Sequence, residues 1–250
     1  DPMLFGSSWR SEWIKRLENL PLLADIWLAH QRRSSYWQHG SVCQDYGAIK
    51  AAVLAFGGFH DGYRNTVAKL VTSLTSPVKG VIGPWNHRYP HLAEPEPRIG
   101  FLQEGLRWWD RWLKGIKNGC DHEHDYRVFV MDSIKPERRF ESRPGRWRNL
   151  NKSDLLAPCV KTLSLGVGTL GENEVIKGAC IELKGDFNVG SQTGEFFPYN
   201  FGPELPADQI LDDEKSTCFD TDFNDEALSI VGTPILNIPL SVKKPLAQLA

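Results

Sequence analysis

The sequence predicts an α/β segment followed by an all-β segment, and three observations predict it. Residues 51–56 (AAVLAF) are a continuous apolar run of strand length, which reads as a strand buried on both faces. Strand, helix and strand follow one another within about 35 residues, the makings of a βαβ unit with two parallel strands. Beyond residue 120 helical periodicity gives way to short apolar stretches separated by Gly- and Pro-rich connections, the pattern of an antiparallel sandwich or jelly roll.

Taken in order, residues 1–47 read as helical and rich in tryptophan. Trp9, Trp13, Leu17 and Leu20 recur at helical spacing, and Leu23 and Trp27 resume it after Pro21, which predicts a buried helical layer. The run at 51–56 stops at Gly57-Gly58 and the turn Phe59-His60-Asp61-Gly62. Residues 63–74 then put Val67, Leu70, Val71 and Leu74 on one helical face. A second strand at 78–82 runs into Gly83-Pro84-Trp85-Asn86-His87. Over 99–114 a strong helix carries Leu102, Leu106, Trp109 and Leu113 on one stripe and Phe101, Trp108 and Trp112 on the adjoining one, and Gly115 stops it. So broad an apolar face predicts a helix held between two layers, with Leu106, Trp109 and Trp112 buried and Trp108 turned toward the following domain.

The later strands are predicted at 126–131, 160–165, 179–183, 228–231 and 234–242. The long polar stretch 185–217 interrupts them, and its acidic run Asp212-Asp213-Glu214 reads as solvated loop. No internal repeat is visible. Domain boundaries follow at 1–47, 48–119 and 120–250.

Composition narrows the function. Hydrophobic residues at 41%, charged residues at 24% and aromatics at 11% exclude disorder, collagen-like repeats and a coiled coil. A net charge of −2 provides no positive field for nucleic acid or an anionic membrane. The basic segment 138–148, with five arginines, is too local to reverse that. No apolar run approaches the roughly 20 residues of a membrane helix. Cys43, Cys120, Cys159, Cys180 and Cys218 are scattered without C-x-x-C spacing, which indicates neither a disulfide framework nor a zinc site. No basic region followed by an apolar one opens the chain, so a reducing cytoplasmic setting is expected, with no cofactor or metal. Asp1-Pro2 at the start and the apolar alternation at 246–250 suggest a piece cut from a longer chain.

Open α/β sheets place ligands at the carboxyl ends of their parallel strands. Asp61 follows the first strand and His87 the second. Neighbouring parallel strands lie about 5 Å apart, so loops leaving them bring a carboxylate and an imidazole within contact. A carboxylate on one ring nitrogen fixes the tautomer and stabilises the imidazolium as the other nitrogen takes a proton. The same residues also read as structure: Asp61-Gly62 is a good turn dipeptide, and His87 an ordinary loop histidine. Tyr63, two residues past Asp61, reads as pocket wall or as helix-start packing. Asp121, His122, Glu123, His124 and Asp125 form a dense donor cluster, and a strand would put His122 and His124 on one face, but spacing fixes no third ligand and no metal site is assigned. His91 follows His87 by four residues, with Pro90 opposing the helix that would align them.

The stretches VLAFGGFHDGYRNTV, VKGVIGPWNHRYP and LRWWDRWLKGIKNG strongly resemble the X-prolyl dipeptidyl-peptidase and cocaine-esterase-like family of serine hydrolases. In that family G-G-aromatic-x-D-G-Y carries the triad aspartate and G-P-W-x-H the triad histidine, which puts Asp61 and His87 in those roles. A W-x-x-x-W-L-K-G helix then leads to a C-terminal jelly roll. Residues 27–49 resemble the end of the family's helical cap, and the resemblance covers essentially the whole chain. It implies the C-terminal part of an α/β-hydrolase core, with small-molecule ester or peptide substrates, X-Pro peptides among them, and no cofactor.

One departure stands out. Hydrolase triads of this kind run Ser, Asp, His, with the serine on a G-x-S-x-G elbow. No such elbow exists here, and Ser34, Ser35 and Ser41, the nearest serines before Asp61, lie on no strand-turn-helix. The expectation is therefore a chain inactive by itself, whose serine lies upstream. The alternative is a non-catalytic binding or assembly module in which a jelly roll acts and the hydrolase remnant is scaffold.

Overall fold

The computed structural model describes residues 2–158, 160–172, 181–183, 185–199, 204–222 and 228–243. It divides into two units, residues 1–50 and 51–250.

The first unit is helical: α1 (Pro2–Phe5), α2 (Trp9–Glu18), α3 (Leu23–Ala29) and α4 (Ser35–His39). Aromatic contacts join the last two. His30 stacks on Tyr36 with centroids 4.6 Å apart, and the Trp37 indole N–H donates to the His30 carbonyl at 2.7 Å. The buried layer predicted here does not form: Trp9, Trp13, Leu17, Leu20, Leu23 and Trp27 are all exposed. Trp27 meets Trp37 at 6.4 Å between centroids, but such pairwise contacts leave the apolar stripes of these short helices facing solvent.

The second unit is built on a four-stranded mixed sheet in the order β1-β2-β3-β4. Strands β1 (Val53–Gly58), β2 (Val78–Gly83) and β3 (Tyr126–Met131) are parallel, and β4 (Gly145–Leu150) returns antiparallel to β3. The crossover helix α5 (Arg64–Ser73) buries Val67 and Val71 with Ile82, Tyr126 and Val128 on one face of the sheet. On the other, Val81, Trp85 and Ala93 form a second core with Phe56, Ile99 and Trp147. α6 (Phe101–Lys114) is tied to that second face by the edge contact of Phe101 with Phe56. It ends where Gly115 turns left-handed, φ 71°, a conformation that costs glycine nothing. α7 (Lys152–Leu156) has a capping box from Asn151 and Asp154 and packs Leu155 on the first core.

Two expectations change. The strand at 126–131, expected in a separate antiparallel domain, extends the parallel sheet, so the sheet runs past residue 120. The reason is that β2 is buried almost throughout, and an unpaired edge there would leave buried N–H and C=O groups without partners. The apolar stripes of the 99–114 helix predict burial of Leu106, Trp109 and Trp112. Instead Trp108 is buried at 5% exposure, Trp112 is half-buried, and Leu102, Leu106, Trp109 (60% exposed) and Leu113 face outward. Two adjoining apolar stripes cannot both face one sheet.

After α7 the described residues form one short hairpin, β5 (Ser164–Leu165) with β6 (Leu170–Gly171), and one helical turn, α8 (Ile210–Asp213). The strand expected at 160–165 is reduced to its last two residues. The one expected at 179–183 lies partly outside the described residues, and 228–231 and 234–242 form no strand and join no sheet. Their apolar residues, among them Leu228, Ile230, Ile235 and Leu236, are exposed.

Candidate active site

Backbone bonds at the carboxyl ends of β1 and β2 lock two loops together. Phe59 N–H donates to the Gly83 carbonyl at 2.9 Å and His60 N–H to the Trp85 carbonyl at 3.0 Å. That approach needs Gly58, since a Cβ there would sit 2.0 Å from the Trp85 carbonyl oxygen. Trp85 anchors the second loop, its ring buried and its indole N–H donating to the Pro97 carbonyl at 2.9 Å.

Asp61 and His87 meet across this junction. One carboxylate oxygen of Asp61 accepts the Tyr63 backbone N–H at 2.8 Å, and the other lies 2.9 Å from His87 Nδ1. An ionised carboxylate only accepts hydrogen bonds, so Nδ1 carries the proton and Nε2 of the neutral ring is the acceptor. The Asp61 side chain is 14% exposed and that of His87 38%, so the carboxylate is sheltered while the imidazole reaches solvent. The arrangement suits proton transfer at Nε2 with Asp61 holding the ring. Tyr63 is largely exposed, its ring 6.1 Å from that of His87.

Three aromatic rings surround the imidazole. Besides Tyr63, Phe197 stands nearly perpendicular at 4.6 Å and Tyr199 lies at 5.8 Å. Residues 185–217 read from the sequence as polar loop, a pattern that hides Phe197 and Tyr199. The only signal was the aromatic run Phe196-Phe197-Pro198-Tyr199 inside it.

His60, next to Asp61, takes another part. Burial first, then the charges of Arg143 and Arg64, push its pKa down to about 4, and its Nε2 is buried without a hydrogen-bond partner. It is neutral at pH 7. His91 stacks on Phe101 at 5.5 Å and does not join His87.

The 121–125 cluster is not a strand; it begins as a 3-10 turn, Cys120–His122. Two of its acids turn to cations, Asp121 to Arg111 at 2.8 Å and Glu123 to Lys79 and Arg107, and Asp125 accepts the Lys152 backbone N–H at 2.7 Å. His124 bonds Asn151 at 2.9 Å while His122 is exposed. Among the described residues no group of three or more potential metal-ligating side chains converges.

Residues 6–89, about a third of the chain, match the family model of X-Pro dipeptidyl-peptidase (S15 family). The match is narrower than the whole-chain resemblance read from the motifs, but it contains Asp61 and His87. It supports a serine hydrolase-like function and does not favour the assembly-module alternative. No curated protein and no solved structure matches the chain. Among the described residues no helix is long and apolar enough to cross a membrane.

Proposed function

We propose that this chain carries the base and the orienter of a serine-type acyl hydrolase acting on esters or X-Pro amides. The observation that carries the reading is the 2.9 Å contact of Asp61 with His87 Nδ1 at the carboxyl ends of adjacent parallel strands. His87 Nε2 takes the proton of a serine hydroxyl as the oxygen attacks the substrate carbonyl, then delivers it to the leaving group, producing an acyl-enzyme. Water enters by the same route: His87 accepts its proton, and the serine leaves with that proton as the acyl bond breaks. Asp61 holds the tautomer and faces the imidazolium while it exists. The serine and its oxyanion donors belong to a segment outside this sequence, since no G-x-S-x-G elbow occurs in it.

The accompanying organisation places residues 1–47 at the end of a helical cap and the mixed sheet in the last part of a hydrolase core. A jelly roll would begin after α7 rather than at residue 120, because β3, β4 and α7 belong with the sheet. The exposed stripe of α6 fits a core completed by further chain. Among the described residues Cys43, Cys120 and Cys218 are free thiols, and this reading assumes the reducing, cytoplasmic setting in which thiols persist.

The test compares this 250-residue chain with a protein extended upstream through the elbow, using an activated aryl ester and a fluorophosphonate probe. Labelling and a burst of product are expected only from the extended form. Stoichiometric labelling of the short chain, with turnover lost in His87→Ala, would require a nucleophile within it and overturn the reading.

A further inference from the structure

Residues 195–199 lie far along the chain from the Asp61–His87 pair, yet they pack directly on it. The His87 backbone N–H donates to the carbonyl of Pro198, itself buried, at 3.2 Å. The Phe197 ring meets the imidazole at 4.6 Å and 81°, and meets Tyr63 at 5.1 Å and 76°. Phe196 and Phe197 also lie on the bare backbone of Gly62, where a Cβ would come within 3.0 Å of both rings. The segment therefore touches both loops that carry the pair.

It is also held from behind. The Glu195 N–H donates to the Glu204 carbonyl at 2.8 Å and the Leu205 N–H to the Arg138 carbonyl at 2.9 Å. Asp212, only 4% exposed, accepts Gln192 N–H at 2.9 Å and the Ser191 hydroxyl at 3.2 Å. The acidic run that reads as solvated loop thus includes a buried anchor.

We propose that this strap positions the base: Phe197 fixes the plane of the His87 imidazole, and the Pro198 carbonyl fixes the backbone that carries it. The inference rests on the acid–base reading of the pair. One hydrogen bond from Nδ1 to Asp61 fixes a point of the ring but leaves rotation about that bond. A perpendicular ring at van der Waals distance removes this freedom and aims Nε2 in one direction. Phe197 is a positioning residue, since it acts through His87.

The test uses the full 250-residue chain with isotope-labelled histidine and observes the His87 ring by NMR. In the unsubstituted protein the neutral ring is expected as the Nδ1–H form, with nuclear Overhauser contacts to the Phe197 ring and slow exchange of the His87 amide. Phe197→Leu keeps apolar bulk but removes the flat ring. It should reduce the Nδ1–H preference, broaden the ring signals and speed amide exchange by at least tenfold, while Phe197→Tyr restores all three. Unchanged tautomer and exchange in Phe197→Leu would overturn the strap. If that variant fails to fold, absence of Phe197–His87 contacts in the unsubstituted spectrum overturns it equally. Asp61→Asn separates the two readings: if the Nδ1–H preference survives it, the acid–base pair itself fails, whatever Phe197 does.

Discussion

Glu104 on α6 brings Oε2 to 3.7 Å from Nζ of Lys79 on β2, so a charge pair spans the gap between the helix and the sheet. Lys79 is 8% exposed, and Glu123 binds it as well. Arg107 lies 3.5 Å from Glu104 and 2.5 Å from Glu123, and Arg127 joins Glu104 at 3.9 Å. An ammonium this sheltered is tolerable only because carboxylates face it.

Lys79→Ala is therefore expected to destabilise the protein by about 3 kcal/mol, since two carboxylates lose their most buried partner. Lys79→Met combined with Glu123→Gln should recover much of the loss by removing charge on both sides. Urea midpoints measure both, and a loss below about 0.5 kcal/mol for Lys79→Ala would mean that the network is energetically idle. Burial raises the Glu123 pKa, but hydrogen bonds from Lys79 and Arg107 outweigh it and hold the carboxyl below the usual range. A depressed carboxylate contributes stability above its unfolded pKa and loses it as pH falls through the folded one, so this contribution declines as pH falls below about 4.5.

His60 gives a separate window. Its pKa falls from 6.5 unfolded to about 4 folded, so the unfolded chain takes up the proton first. Stability is full above about pH 6.5, declines toward about pH 4, and is insensitive to this group below that. The loss is on the order of 3 kcal/mol. His60→Gln should flatten stability between pH 4 and 6.5; an unchanged slope there would show that His60 titrates normally.

In the upstream-extended protein, His87→Ala should lower kcat by at least about 1000-fold and Asp61→Asn by about 100- to 10,000-fold, with the fold intact by circular dichroism. Equal activity of Asp61→Asn and the unsubstituted enzyme would remove Asp61 from the proton pathway.

The outward stripe of α6 predicts self-association of the isolated chain at high concentration. Leu102, Leu106, Trp109 and Leu113 form one contiguous exposed row. Leu106→Gln with Leu113→Gln should reduce association in sedimentation experiments while changing stability by less than about 0.5 kcal/mol each. A chain that stays monomeric at high concentration without these changes would contradict the prediction.

Local signals placed the first half of the second unit closely. The apolar run at 51–56 marks β1, the face of Val67 and Val71 marks α5, and the stripe ending at Gly115 marks α6. These follow from short-range chemistry: the side-chain period of a strand or helix, and the residues that end it. Asp61 and His87 are legible as candidates for the same reason, since each lies in the loop that follows a strand end.

The sequence by itself determined which segments are strands and helices around the pair, and which polar residues leave the strand ends together. Only the tertiary structure decided that Tyr126–Met131 joins the parallel sheet, that α6 turns Trp108 rather than Trp109 inward, and that Phe197 stands against His87. Each of these depends on which surface is available for burial. Periodicity shows that an apolar face exists, whereas its partner is set by backbone pairing and packing between residues far apart along the chain.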